Sequence, residues 1–303
     1  MTTTELARSS GVRPVLLDGG GITLSALLAQ PYEAPRATIV ALHGAGMSAG
    51  YFDGQATAEV SLLSLGARLG YTVLAVDRPG YGHSSAQLRE GQSQAAQART
   101  VRHALAGFAA ENDLGAGILL LGHSFGGMLA LRLAAVAFGT ARLLGVDISG
   151  CGHRYARQLF QLGDARRRSL RGWGPPRLYP LATFRASAAI VAPTPVLELA
   201  EAPRWPMVFP RVAAKVAVPV RCTFAEHEGL WRQDPNTVRD MAARFTGAPC
   251  VAVERQAGAG HNISLSWAAR AYHLRVLGFL EDCLHADDRQ ASDRPIPRVG
   301  TEV

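Results

Sequence analysis

Gly117-Ile118-Leu119-Leu120-Leu121-Gly122-His123-Ser124-Phe125-Gly126-Gly127 is the stretch from which the rest of the chain can be read. The apolar run Gly117–Leu121 predicts a buried strand, and Phe125–Phe138 has the spacing of a helix. Between them one serine sits with a glycine two positions away on either side. A strand that turns directly into a helix leaves little room at the bend, so side chains at 122 and 126 would strike the neighbouring strand and helix. The turn pushes the Ser124 hydroxyl beyond the sheet edge. It also aims the Phe125 amide, at a helix N-terminus, at any oxygen held in front of the serine. A Gly-x-Ser-x-Gly pattern alone is short and recurs by chance in glycine-rich chains. The strand before it and the helix after it give it weight as a nucleophile elbow.

Outward from this turn, short apolar runs alternate with amphipathic stretches. Val15–Asp18 and Ile22–Ala29 read as a hairpin around Gly19–Gly21. Thr38–Leu42, Thr72–Val76 and Leu143–Ile148 read as strands; Ala56–Leu69 and Gln92–Ala110 read as helices. Strands apolar on both faces and separated by helices predict an α/β fold: a mostly parallel sheet with helices on both faces. The alternation stops at Cys151. Residues 151–215 carry no strand run and hold eight of the seventeen prolines. Strand Val216–Phe224, helix Pro235–Phe245, strand Cys250–Val253 and helix Ser264–Leu284 then resume it. The expected organisation is a core over 1–150 and 216–284, an insertion over 151–215, and a loose polar tail over 285–303.

Four stretches carry a resemblance to a known family. Leu42-His43-Gly44-Ala45-Gly46, Asp77-Arg78-Pro79-Gly80-Tyr81-Gly82, the elbow around Ser124 and Ala259-Gly260-His261 together resemble the α/β-hydrolase superfamily over about residues 12–284. The resemblance implies an α/β-hydrolase sheet with an inserted helical lid. It implies Ser124 as nucleophile, His261 as base, and backbone amides of Ala45 and Phe125 as the oxyanion hole, with Gly46 and Met47 as lesser candidates. His43 is expected to be structural, and so is the Asp77–Gly82 turn, although Tyr81 is a candidate pocket residue. The acid stays open between two carboxylates. Glu228, after strand Val218–Phe224, is favoured because that loop is the commoner source of the orienting acid. Asp147, in Val146-Asp147-Ile148-Ser149, is the alternative, in a stretch similar to assembly-line thioesterases. Glu226 is expected to be solvated or to support the acid.

Composition narrows the partners. The net charge is +7, and 30 of the 31 basic residues are arginines, Lys215 being the one lysine. Arg154, Arg157, Arg166, Arg167, Arg168, Arg171, Arg177 and Arg185 crowd the first part of the insertion, opposed there by Asp164 alone. Such a field favours an anionic or carrier-bound substrate, unless it is a solvated helix face. Trp173, Phe184 and Trp231 are candidate aromatic walls. No aromatic–basic interleaving suggests nucleic acid, no apolar run suits a bilayer, and no Cys/His spacing suggests a metal. Gly19–Gly21 precedes a strand, so no dinucleotide loop is expected, and no cofactor. The polar N-terminus and four scattered cysteines suggest a cytoplasmic enzyme. The leading function is cleavage of an ester, thioester or amide through an acyl-Ser124 intermediate, in natural-product biosynthesis, on a small-molecule or peptide-like substrate. Acyl transfer, cyclisation, epimerisation or C–C cleavage on the same scaffold, and a non-catalytic binding module, stay open as alternatives.

Overall fold

The computed structural model describes residues 7–57, 59–136, 141–156 and 173–292. Eight strands form one sheet: β1 Arg13–Asp18, β2 Thr23–Ala29, β3 Ala37–Leu42, β4 Tyr71–Val76, β5 Ile118–His123, β6 Leu143–Ser149, β7 Val220–His227 and β8 Val251–Gly260. Their order is β1-β2-β4-β3-β5-β6-β7-β8. β1 and β2 form an antiparallel hairpin, and β2 joins β4 antiparallel. Every other pairing is parallel. The hairpin closes on Asp18, whose Oδ1 accepts the amides of Gly20 and Gly21 at 2.9 Å each. All residues of β3, β4 and β5 are buried, as a sheet covered on both sides requires.

Side chains alternate between two cores because successive residues of a strand point to opposite faces. Leu120 of β5 packs with Val101, Leu105 and Leu129 from helices α2 (Gln94–Glu111) and α3 (Phe125–Ala134). Leu119 and Leu121 pack on the other face, with Leu62 and Leu65 of α1 (Leu62–Arg68) and Tyr272 and Val276 from a long C-terminal helix. Between β6 and β7 the chain forms α4 (Leu181–Ala186), α5 (Val196–Glu201) and α6 (Trp205–Ala213). Prolines mark their starts, Pro180 and Pro195 as N-caps and Pro206 in the first turn of α6. A missing N–H costs nothing there, which accounts for much of the insertion's proline content. After β7 comes α7 (Pro235–Ala242), and after β8 comes α8 (Ala269–Ser292).

Several boundaries differ from the sequence reading. The helix expected from Ala56 begins only at Leu62. Ser61 holds the chain extended by accepting the Ser64 amide and donating to Asp53 at 2.6 Å. β7 begins at Val220 and not at Val216, for Pro219 has no amide to give a ladder. β7 and β8 both run on past the expected ends, to His227 and Gly260. α8 continues to Ser292, eight residues into the stretch expected to be a loose tail from 285. Residues 293–303 lie outside the described residues. Among the described residues no helix is long and apolar enough to cross a membrane.

Candidate active site

Strand order reverses at β3, which has β4 on one side and β5 on the other. Chains leaving β3 and β5 therefore diverge to opposite faces and open a crevice at the carboxyl ends of the strands. His43-Gly44 leaves β3 there, and Ser124 leaves β5.

Ser124 adopts φ 54° and ψ −115°, the one positive φ among the described non-glycine residues. Such a conformation costs on the order of 1–3 kcal/mol and persists only where surroundings enforce it. Here the Ser124 amide donates to the Ser149 carbonyl at 2.8 Å, and the Ser124 carbonyl accepts the amides of Gly127 and Met128. The flanking glycines are sterically required. A Cβ on Gly126 would lie 1.9 Å from the Leu42 carbonyl oxygen, and one on Gly122 would lie 2.4 Å from that of Gly126. Neither gap can open without parting the strand from the helix.

His261 follows the last residue of β8. Its Nδ1 lies 2.8 Å from Oε2 and 3.1 Å from Oε1 of Glu228, just beyond β7. The Glu228 side chain is fully buried, and its Oε1 also accepts the Leu230 amide at 2.9 Å. An ionised carboxylate can only accept, so the imidazole proton sits on Nδ1 and the Nε2 lone pair is left free. Gly150, at φ +55°, packs beneath this ring; a Cβ there would lie 2.7 Å from His261 Cε1. His123 tilts against the same ring at 4.8 Å and stacks on Tyr51 at 4.6 Å. Burial, and secondarily the His261 ring, hold His123 well below the usual imidazole range. His261 therefore has a neutral neighbour.

Asp147 stands apart. It lies two residues before the end of β6, in register with Arg221 of β7, and on the face covered by α8. Arg221 donates to its Oδ2 at 2.7 Å and to Glu254 at 2.8 Å. Oδ1 of Asp147 has no partner among the described residues. Burial outweighs the guanidinium and pushes the carboxyl up to about 6. Glu226 is half-buried and holds the Gly258 amide at 2.8 Å.

Ser124, His261, Ala45 and Phe125 line one cavity of about 610 Å³. Neither the Ala45 nor the Phe125 amide meets an acceptor among the described residues, whereas the Gly46 amide donates to the Tyr81 hydroxyl at 3.1 Å. Trp173 and Trp231 are in the wall, with Met128 and Leu230. Tyr81 and Phe184 are not. Tyr81 is buried behind the turn of residues 44–46, and Phe184 is partly exposed and packs on Trp173 and Tyr179. The Asp77–Gly82 turn brings Tyr81 close to the cavity, but its ring packs edge-on against His43 and its hydroxyl is bonded to Gly46 and Glu198. Arg166, Arg167 and Arg168, with Arg157, Arg171 and Asp164, lie outside the described residues. The described wall contains no Arg, Lys, Asp or Glu. No group of His, Cys, Asp and Glu among the described residues could hold a metal ion.

Sequence reasoning missed His123, Asn262 and Glu198. His123 and Asn262 flank motif residues, and only their place in the wall marks them. Glu198 is a single acid in a short helix with no pattern to signal it.

Comparison with known structures returns the same fold. A thermostable carboxyl esterase from Bacillus coagulans is similar at 18% identity and a TM-score of 0.66, over 91% of this chain and 99% of that one. A carboxylesterase from Bacillus subtilis is similar at 20% identity and 0.64, over 89% and 91%. A proline iminopeptidase from Mycobacterium smegmatis is similar at 19% identity and 0.59, over 91% and 100%. Comparison with curated protein sequences finds no match. The model of the alpha/beta hydrolase family matches residues 39–272, which hold most of β3, all of β4 to β8, the elbow and the His261 loop, and the chain belongs to that family.

Proposed function

We propose that the protein is a serine hydrolase of neutral carboxylic esters, with Ser124 as nucleophile, His261 as base and Glu228 as the acid that orients it. The observation that carries this reading is the Glu228–His261 contact at 2.8 Å, opening on the cavity that Ser124 also lines. Nε2 of His261 takes the Ser124 proton as Oγ adds to the ester carbonyl carbon. The carbonyl oxygen becomes an oxyanion, held by the amides of Ala45 and Phe125. The C–O bond to the alcohol then breaks, and His261 returns its proton to the departing alkoxide. Water, deprotonated by the same nitrogen, adds to the acyl-serine. Collapse of that second intermediate releases the acid and restores Ser124. Glu228 supplies the counter-charge to the imidazolium in both steps.

The wall supports the substrate class. A charged acyl group would lose its hydration in this cavity and find no opposite charge among the described wall residues. Apolar neighbours such as Met128, Leu199, Leu230 and Trp231 suit an apolar acyl chain. The insertion over these residues acts as a lid. Asp147 is tied to Arg221, so it lends no support to the likeness to assembly-line thioesterases, and the arginines of 157–171, the other ground for a biosynthetic role, lie outside the described residues.

The test is turnover of p-nitrophenyl esters of graded acyl length, beside a succinate half-ester of matched size. The neutral series should be hydrolysed and the anionic half-ester discriminated against. Ser124→Ala should remove both turnover and labelling by a fluorophosphonate, a loss on the order of a millionfold in kcat. Undiminished turnover in a folded Ser124→Ala variant would overturn the serine mechanism.

A further inference from the structure

Arg78 and Glu198 form a buried ion pair that joins the sheet to the insertion. Arg78 leaves β4 in the Asp77–Gly82 turn; Glu198 projects from α5. Nη1 and Nη2 of Arg78 reach the two carboxylate oxygens at 2.6 and 2.9 Å. The two side chains are 1% and 0% exposed. Removing two charges from water costs several kcal/mol each, and good geometry alone often only breaks even. The position of the pair therefore calls for an explanation beyond stability.

Its contacts lead to the turn that carries the Ala45 amide. The Tyr81 hydroxyl donates to Glu198 Oε1 at 2.8 Å and accepts the Gly46 amide at 3.1 Å. Nε of Arg78 donates to the His43 carbonyl at 2.7 Å, and the Arg78 amide donates to His43 Nε2 at 3.1 Å. Nδ1 of His43 then donates to the Gly44 carbonyl at 2.8 Å. From the other side, the Ala192 amide of the insertion donates to the Gly46 carbonyl at 3.0 Å. Residues 43, 44 and 46 are thus each held, directly or through one side chain, by Arg78, Glu198 or the insertion backbone. Ala45 lies between them. Its N–H lies in the Gly44–Ala45 peptide plane, whose carbonyl His43 holds, and the next plane is held through the Gly46 amide.

Resting on the serine-hydrolase reading, we infer that Glu198 is a positioning residue: from the insertion, through Arg78 and Tyr81, it fixes the turn that presents the Ala45 amide to the substrate oxyanion. The insertion then does more than cover the cavity, because an unseated α5 leaves the oxyanion turn unbraced. Tyr81 is specific to this job. Its one hydroxyl oxygen accepts from Gly46 and donates to Glu198 at once, which the ring of a phenylalanine cannot do.

Three variants test it: Glu198→Gln, Tyr81→Phe, and the double change Arg78→Met with Glu198→Leu. The double change replaces the pair by apolar residues of similar volume, so that the fold should survive where a lone buried charge would not. The first readout is amide hydrogen exchange of residues 43–47, which needs no turnover. Protection there should fall in every folded variant, while that of β5 stays unchanged. The second is ester kinetics. kcat should drop about 10- to 100-fold with KM nearly constant, and a boronic-acid mimic of the tetrahedral intermediate should weaken in parallel. Unchanged protection of 43–47 in the double variant would overturn the inference, whatever the enzyme hydrolyses. So would KM rising alone, which would make Glu198 a plain packing residue of the lid. A wild type that hydrolyses no ester would count against the serine-hydrolase reading and leave the exchange result to decide this one.

Discussion

Asp147, inside β6, and Glu228, just past the end of the neighbouring β7, are carboxylates whose side chains are both closed off from water, and they meet different partners. Glu228 sits beyond the end of β7, in a loop, and faces an imidazole. Asp147 sits inside β6 and faces a guanidinium that is itself shared with Glu254. A guanidinium keeps its proton at any ordinary pH, so Arg221, the partner of Asp147, can neither take up a proton nor pass one on. An imidazole has a second ring nitrogen that can accept a proton, so the partner of Glu228 can do both. Strand position matters as well. A residue inside the ladder is held by neighbours on both sides and points into the layer under α8. One past the strand end lies at the crevice. Burial alone therefore does not mark an acid as chemical; its partner and its place along the strand do.

The contrast breaks most sharply at Glu228. Glu228→Gln removes the counter-charge of the imidazolium and allows the wrong tautomer of His261. kcat on a neutral ester should fall about 1,000- to 10,000-fold. Asp147→Asn should change it only a few-fold. Measured in parallel with matched circular dichroism, the reverse ranking would hand the orienting role to Asp147.

Asp147 should instead declare itself in stability. Its carboxyl is raised in the folded protein, to about 6 from an ordinary value near 4. The folded state thus holds the proton more tightly. The stabilising contribution is fully present below pH 4 and is lost as pH rises through 6. Asp147→Asn carries no such loss. Relative to wild type it should gain on the order of 2–3 kcal/mol between pH 4 and pH 7, read from urea unfolding at each pH. A constant difference across that range would mean the Asp147–Arg221 pair is ionised throughout.

The smallest effect has the opposite sign. His273, on α8 itself and within 3.0 Å of the Ser264 hydroxyl, is fully buried, and burial pushes it down to about 3. Its neutral form stabilises the fold above pH 6.5, and that contribution is lost as pH falls toward 3. Between pH 6.5 and 5, His273→Gln should lose about 2 kcal/mol less than wild type. Equal losses would place the acid sensitivity elsewhere, with buried His43 and His123 the next to test.

Much of this was legible in the chain. The elbow could be read because sterics leave few residues able to make that turn, and the His261 loop because it must follow the last strand. Glu228 could be ranked above Asp147 only by analogy, since in sequence both are single acids near strand ends. Register decides their difference, and register depends on where β6 and β7 start. Pro219 shortens β7 at its start, which no hydropathy pattern records. The Arg78–Glu198 contact spans 120 residues and has no local signature at all. The candidate walls divided for a similar reason: Trp173 and Trp231 face the cavity, while Phe184, on a short helix begun by Pro180, turns its ring toward Tyr179 and solvent.

The Trp231 indole stacks on Tyr155 at 4.1 Å and 20°, with a backbone bridge between the two residues. Trp231 belongs to the loop that carries Glu228, and Tyr155 to the first residues after β6, where its hydroxyl donates to the Ala202 carbonyl. The stack also forms part of the cavity wall. The protein therefore carries a built-in optical gauge where the start of the insertion meets the loop after β7. Of its four tryptophans, Trp205 is packed in the core against Phe209 and Trp267 is mostly exposed. Emission from Trp231 should answer to whatever enters the cavity and to any parting of that contact, and a Trp231→Phe comparison would separate its signal from that of Trp173. Filling and opening could then be followed in real time without attaching a dye.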